Sequence, residues 1–313
     1  MSDGPPQDDG CIVVTGIVGR LGKAVCRLLH RRFRVVGVDR RPFPDRPRDV
    51  VHHQFDLRRK KMRDIFRSGE VRAVVHLGVM HDPRASAGEH HSWNVVAFGK
   101  MLESMAQYGV SKLVVLSSAN VYGPRPDNPQ FLTEEAPLLG SQEFSDIRDL
   151  IEVDMLAQSF FCRNSACETV ILRPTHILGR VHNAPSNYLR LPVTPTLMGF
   201  DPMIQVVHQQ DVCHAIERAL APNVRGIFNV AGPDPVPLSH LLATLGRARL
   251  PVPHTVARRL LAELFRARLS SFPAPELDHI RYVCMVDDRR AREVLGYAPQ
   301  HDLRRTALAV EDL

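Results

Sequence analysis

Hydrophobic residues are distributed along the chain as short apolar runs separated by stretches in which they recur at helical spacing. The first run, Cys11 to Thr15, breaks on glycine and restarts as an amphipathic stretch, predicted helical from about Leu21 to Arg31. Phe33 to Val38 reads as the next strand, and Val50 to Leu57 as a shorter one carrying Asp56. After a predicted helix from about Lys60 to Arg67, Val71 to Val79 is almost continuously apolar. Within Ser92 to Tyr108, Val95, Val96, Met101, Leu102 and Met105 recur close to the helical period, and a buried strand, Lys112 to Ser118, follows. A loop studded with proline (Pro124 to Pro137), a helix of about Ile147 to Cys162 and the strand Glu168 to Arg173 complete this half. Apolar strands alternating with helices predict an α/β fold, a doubly wound parallel sheet covered on both faces with right-handed crossovers.

Beyond Gly179 the periodicity weakens, and Asn183 to Pro202 reads as a loop crowded with proline. Gln205 to His208 enters a helix of Asp211 to Leu220, with Asp211 as its cap or first-turn acid, and Gly226 to Val230 reads as a strand. Helices are predicted at about Leu238 to Gly246, Thr255 to Leu269 and Asp288 to Leu295, the last stopped by Gly296. The expected division is a disordered polar tail (1–10), a sheet domain (11–178) and a smaller C-terminal α/β substrate lobe (179–313). A segment of about 204–232 is expected to return onto the first domain. The crevice between the two is expected at the carboxyl ends of the strands.

The chemistry begins where the first strand breaks. Gly16, Gly19 and Gly22 are spaced three apart between a strand and a helix. Such a turn aims several backbone N–H groups and the positive end of the helix dipole at one spot, which suits a pyrophosphate. Gly16 permits the tight turn, Gly19 lets the backbone approach a ligand, and Gly22 lets the helix pack on the strand. A glycine triplet alone fits any tight turn. The next strand, however, ends on Asp39, within the roughly 20 residues expected of an acid that holds an adenosine ribose. Strand, turn, helix, strand and acid in that order describe a Rossmann dinucleotide site.

Composition narrows the surroundings. Apolar content of 44% and charged content of 24% over 313 residues are those of an ordinary globular chain. No apolar run reaches the roughly 18 residues that span a bilayer, and the first ten residues lack the basic start and apolar core of a signal peptide. A cytoplasmic location without membrane contact is the expectation. The six cysteines show no CxxC spacing and read as reduced, structural thiols, and the fifteen histidines include no HExxH, so no metal site is expected. The net charge of +6 comes partly from Arg31-Arg32, Arg40-Arg41 and Arg58-Arg59-Lys60-Lys61. These runs read as solvated surface that also steers an anionic ligand. They lack the interleaved aromatics of a nucleic-acid surface.

Segments from Cys11 to Pro299 extend the pattern: Thr15-Gly-Ile-Val-Gly-Arg-Leu-Gly22, Phe55-Asp-Leu57, Val75-His-Leu-Gly78, Asn94-Val95, Leu116-Ser-Ser-Ala-Asn-Val-Tyr-Gly123, Leu172-Arg-Pro174, Val207-His-Gln-Gln-Asp211, Ile227-Phe-Asn-Val230 and Ala291-Arg-Glu-Val-Leu-Gly-Tyr297. In this order they resemble the extended short-chain dehydrogenase/reductases, specifically the NAD-dependent epimerase/dehydratase branch typified by nucleotide-sugar 4-epimerases. The resemblance implies that Gly16, Gly19, Arg20, Leu21 and Gly22 hold the pyrophosphate, Asp39 the ribose, and Asp56 and Leu57 the adenine. It implies that Leu77, Gly78 and Val79 line the cofactor path, that Asn94 supports the sheet near the nicotinamide, and that Ser118 is the catalytic serine. Asp39 favours NAD over NADP, although Arg40 and Arg41 are able to take a 2′-phosphate. A small-molecule substrate such as a nucleotide-sugar, and a homodimer through a four-helix contact, are further implications.

The chain departs from that pattern at its engine. The family's YxxxK pair, a phenol whose pKa the lysine lowers, belongs on the helix after the serine strand. Phe144 to Asp154 contains neither tyrosine nor lysine. Counting back from Arg173 puts Asp146 and Leu150 at the two positions, and an alternative register puts Phe144 and Arg148 there. Tyr108-Gly-Val-Ser-Lys112 matches the spacing but precedes the serine strand, so it is a decoy. The candidate substitutes are Tyr122, His81, His176 and Asp146, with His81, His176 and Asn187 as substrate contacts. The arginine that similar proteins place before Val207-His208 to hold a substrate phosphate is here Ile204 or Gln205. The competing reading is an NAD-binding regulatory or scaffold protein without turnover.

Overall fold

The computed structural model describes residues 10–79, 86–140, 145–181, 183–267 and 274–312. The tail at 1–9, His81, Phe144 and the side chain of Asp146 lie outside the described residues. Six strands, β1 (Cys11–Thr15), β2 (Arg34–Asp39), β3 (Val51–Gln54), β4 (Val71–His76), β5 (Lys112–Leu116) and β6 (Glu168–Pro174), join the strand Gly226–Val230 in one seven-stranded sheet. Its order is Gly226–Val230, β6, β5, β4, β1, β2, β3, with parallel pairing throughout. The order reverses at β1, which leaves a crevice beyond the carboxyl ends of β1 and β4.

Two layers of helices cover the sheet, as its continuous apolar strands require. On one face α1 (Arg20–Leu29), through Val25, packs beside the later helix Gln209–Ala219 in a cluster with Val14, Leu172 and Phe228. On the other lie α2 (Lys61–Arg67), α3 (Ala87–His91), a π-helical turn (Ser92–Val96), α4 (Ala97–Gln107) and α5 (Ser145–Arg163). Phe98, Met105, Val153 and Phe160 fill that side. Leu178, Leu197, Leu238, Leu241 and Val310 belong to a separate hydrophobic cluster. No helix among the described residues is long and apolar enough to cross a membrane.

Three expectations need correction. Asn183 to Pro202 is not a loop: α6 (Ala184–Leu189) opens on an Asn183 cap that accepts from the Ser186 amide, and Val193–Leu197 pairs in parallel with Ala248–Val252. Pro185 sits in the first helical turn, where no donor is needed, and Pro195 lies in a peripheral strand, where a missing donor is tolerated. The chain does not end structurally at Leu295, because Leu303–Leu308 forms a further helix capped by Asp302. Cys162 is exposed, so it is not a buried structural thiol like Cys11, Cys26, Cys167 and Cys213.

One polar network crosses this apolar interior. Arg173 on β6 and Asp154 on α5, exposed by 1% and 0%, pair through two nitrogens at 3.0 and 2.7 Å. Ser117 and Gln158 donate to the same carboxylate, at 2.5 and 2.8 Å. The other arginine nitrogen reaches the Tyr122 hydroxyl and the Glu134 carbonyl, at 2.8 and 3.1 Å. Breaking one side of a buried pair leaves the other charge uncompensated, at about 3–5 kcal/mol. Asp154→Ala is therefore expected to lower the unfolding free energy by about that amount, read from the urea midpoint, while Gln158→Ala costs far less.

Candidate functional site

The loop between β1 and α1 is built around close backbone approach. Gly16 has φ +71°, and a Cβ there would meet the Gly78 Cα and the Leu77 carbonyl oxygen, both at 2.8 Å. A Cβ on Gly78 would lie 2.9 Å from Leu57 and 3.1 Å from the Thr15 hydroxyl. Helix α1 has no side-chain cap and no acid in its first turn, so its leading N–H groups are left for an anion. Arg20 is exposed beside them. The donor set and the side-chain-free cradle fit a dinucleotide pyrophosphate.

Asp39, 5% exposed, closes β2 and accepts from the Val18 amide at 3.1 Å. Arg41 holds the same carboxylate through its amide, Nε and Nη2, at 3.0, 3.0 and 2.9 Å. Burial pushes this carboxyl up, but the Arg41 and Val18 hydrogen bonds outweigh it and leave the pKa below the usual range. Asp56 is engaged in the same manner by the Arg58 amide and side chain. Arg40 and Arg58 lie over the Trp93 ring at 5.2 and 5.4 Å, and the indole N–H donates to the Gly78 carbonyl at 3.1 Å. Sequence reasoning missed Trp93, the only tryptophan of the chain, and the hold of Arg41 on Asp39.

At the other end of the crevice, the Ser118 hydroxyl oxygen accepts the Asn120 amide at 3.1 Å, which leaves its own hydrogen free to donate. Tyr122 does not face the crevice. It is 1% exposed, it donates to Asn229 Oδ1 at 2.8 Å and accepts from Arg173, and burial pushes its pKa up to about 12. Its phenol is a structural link, which corrects its candidacy as a catalyst. On α5, Leu150 stands one turn and Asp146 two turns before Asp154, the register obtained by counting back from Arg173. Leu150 is buried. The neighbouring Asp149, 0% exposed, accepts from Asn94 Nδ2 at 3.4 Å. His91, Asp149 and Glu152 converge there, and Arg148 reaches Asp149 at 3.6 Å, so a guanidinium already stands among these ligand-type groups. Their separation in sequence hid the cluster.

A small, mostly apolar pocket of about 60 Å³ adjoins Asn120 and His176. His176 packs edge-on against His279 at 5.8 Å, and burial, then His279, lowers its pKa to about 3, so it is neutral near pH 7. Helix α6 turns Ala184, Pro185, Tyr188 and Leu189 toward this pocket. Asn187 points the other way: it is exposed and bonds Arg190 at 3.3 Å, so the structure does not bring it to the pocket. Ile204 lines the pocket, whereas Gln205 is tied to both main-chain groups of Val286, at 2.7 and 3.1 Å.

A doubly wound parallel sheet with a glycine-lined helix N-terminus at its switch point and an acid closing the second strand defines a Rossmann-type dinucleotide-binding protein. The chain belongs to the NAD dependent epimerase/dehydratase family, whose profile matches residues 12–231. An uncharacterised protein of Mycobacterium bovis is 27% identical over 306 residues, covering 94% of this chain and 81% of that protein. Among solved structures, a short-chain dehydrogenase/reductase superfamily protein of Agrobacterium tumefaciens with bound NAD superposes with a TM-score of 0.74 at 22% identity. The match covers 96% of this chain and 97% of that one. MoeE5 in complex with UDP-glucuronic acid and NAD gives 0.74 at 21% identity, over 96% and 98% of the two chains.

Beneath the glycine loop, His76 Nδ1 lies 2.8 Å from the Thr15 hydroxyl, its ring stacks on Phe98, and burial lowers its pKa to about 4. A histidine whose folded pKa is depressed gives stability that is complete above its unfolded pKa, about 6.5, and is lost as pH falls toward the folded value. Urea unfolding at pH 7 and pH 4.5 is expected to differ by roughly 2–3 kcal/mol from this residue, with His176 and His208 adding in the same direction. His76→Asn is expected to flatten its share of the slope.

Proposed function

We propose that the crevice binds NAD and carries out hydride transfer on a secondary hydroxyl or carbonyl, in the epimerase/dehydratase manner but with a replaced acid/base. The observation that carries this reading is the uncapped N-terminus of α1 facing a side-chain-free cradle with Asp39 beside it. Gly16, Gly19 and Gly22 with Arg20 hold the pyrophosphate, and Asp39 receives the ribose as the half-exposed Arg41 side chain swings aside. Asp56, Leu57 and Trp93 border the adenine end, and Leu77, Gly78 and Val79 the path inward. NAD, when bound, supplies the hydride acceptor or donor.

Ser118 donates to the reacting oxygen. Asp146, at the phenol's position in the register counted back from Arg173, is our candidate for the group that takes the proton. A carboxylate is a weaker base toward an alcohol than a phenolate, and general acid–base groups contribute about 10² to 10⁴-fold, so turnover of UDP-glucose is expected to fall below that of ordinary epimerases by about that factor. The second position of the motif favours another reading: Leu150 in place of the ribose-holding lysine suits an NAD-binding protein without turnover.

Calorimetry is expected to show NAD(H) binding, and absence of binding at millimolar cofactor would defeat the proposal. Asp39→Ala is expected to weaken NAD about tenfold, the scale of a lost charge-assisted hydrogen bond, and to shift preference toward NADP by releasing Arg41. Ser118→Ala is expected to reduce kcat with NAD affinity unchanged. Tyr122→Phe is expected to lower the Tm without changing kcat, and the reverse pattern would restore the phenol as the catalyst.

A further inference from the structure

A second hollow lies outside the dinucleotide crevice, where α1, the helix Gln209–Ala219 and the helix Leu303–Leu308 meet. It is an open cleft of about 870 Å³, within the size range of small-molecule sites. Ala24, Arg27, Leu28 and, just past the helix end, Arg31 line it from α1, at the spacing of one helix face. Gly16, Gly19, Gly22, Asp39 and Asp56 do not border it. Arg27 stands about 10 Å along α1 from Arg20 at the pyrophosphate end.

The charge of this cleft is lopsided. Arg27, Arg31, Arg180, Arg304 and Arg305 line it against Asp302 and Asp312. Asp302 is occupied as a helix cap, accepting the Arg305 amide at 2.7 Å. Among the described residues, no acid pairs with the side chain of Arg31, Arg180, Arg304 or Arg305. Arg27 has Asp45 at 3.9 Å, but Lys23 holds that carboxylate more closely, at 3.1 Å. Arginines just outside the cleft do find partners: Arg32 reaches Glu217 at 2.8 Å, and Arg190 donates to the carbonyls of Val310, Gly179 and Val181. Helix electrostatics account for Arg27 and Arg31, at the negative end of α1. They do not account for Arg304 and Arg305, which occupy a first turn, where a cation is disfavoured.

Guanidiniums gathered without counterions repel one another, and an anion of several charges relieves that repulsion. Each planar guanidinium fork takes two phosphate oxygens at once. Between the arginines the lining is apolar, with Leu28, Cys213 and Ala309 beside the ring of His208, which stacks on His301 at 3.7 Å.

We infer that this cleft is a second ligand site, independent of the dinucleotide crevice, for a small molecule bearing two or more phosphate groups. The phosphates lie among Arg31, Arg180, Arg304 and Arg305, and any uncharged part of the ligand rests on Leu28 and Ala309. A singly phosphorylated ligand leaves most of the guanidiniums without a counterion, so affinity climbs with phosphate number.

The test is calorimetry on the full chain at physiological ionic strength, with and without saturating NAD⁺, using phosphate, pyrophosphate, tripolyphosphate and ATP. The expected result is affinity rising from phosphate to tripolyphosphate, one ion per chain, unchanged by NAD⁺. Arg180→Gln and Arg304→Gln, both at exposed side chains, should each weaken tripolyphosphate about tenfold, the scale of a lost charge-assisted hydrogen bond, with the Tm unchanged. Arg20→Gln should leave tripolyphosphate binding as it is. ATP binding more tightly than tripolyphosphate identifies phosphates carried on a nucleotide, and tripolyphosphate binding at least as tightly identifies phosphates alone; either supports the site. Loss of tripolyphosphate binding on adding NAD⁺ puts the ion in the crevice and overturns the inference. Binding that ignores both cleft substitutions marks an adventitious ion only and also overturns it. Tighter binding of a duplex DNA fragment or a polyglutamate peptide, weakened by the same substitutions, makes the cleft a macromolecular surface and overturns it as well. Failure of NAD⁺ itself to bind defeats the crevice proposal and leaves this one standing.

Discussion

Two opposite charges buried in the centre of the molecule decide where its functional residues lie. Removing the Arg173 guanidinium and the Asp154 carboxylate from water costs several kcal/mol per ion, and only near-complete hydrogen bonding offsets such a cost. Here the bonding is close to complete: Ser117, Gln158, Tyr122 and Glu134 take up the remaining donors and acceptors. Those bonds are directional. A one-residue slip of α5 would leave both charges bare, so the pair sets the register of the helix, and with it which side chains reach the crevice. Through Tyr122 the network continues to Asn229, whose amide nitrogen donates to the carbonyls of Leu132 and Asp287. The strand Gly226–Val230 and the segment near Asp287 are thereby anchored to the nucleotide half.

The crevice runs between two unlike environments. Around the glycine turn are Arg20, Arg40, Arg41 and Arg58, two of them stacked on Trp93 and two holding carboxylates. Beyond Ser118 the lining becomes aliphatic, and burial keeps His176 there uncharged near pH 7.

What was legible in the amino-acid order was the local and periodic part. Gly16, Gly19, Gly22 and Asp39 announce themselves because a tight turn, a helix start and a strand end are all set within a few residues, and the sheet strands because burial on both faces makes them uniformly apolar. Helix α6 and the strand Val193–Leu197 were hidden by Pro185, Pro192 and Pro195, which break apolar periodicity while being compatible with a first turn and a peripheral strand. Tyr122 was misjudged for a different reason. Its distance from Ser118 along the chain is short, but the partners that immobilise it, Arg173 and Asn229, lie 51 and 107 residues away. Asn187 and its neighbours share one short helix, and which of them meets the pocket depends on how that helix docks. Arg41 lies only two residues from Asp39, yet whether it flanks a ligand or grasps the acid is a matter of rotamer.

That grasp has a bearing on life without a ligand. A bare carboxylate at the end of β2 would be a standing electrostatic liability whenever the nucleotide departed. On the proposed reading, Arg41 is the internal counterion of Asp39, and filling the crevice is a change of partners at that one carboxylate.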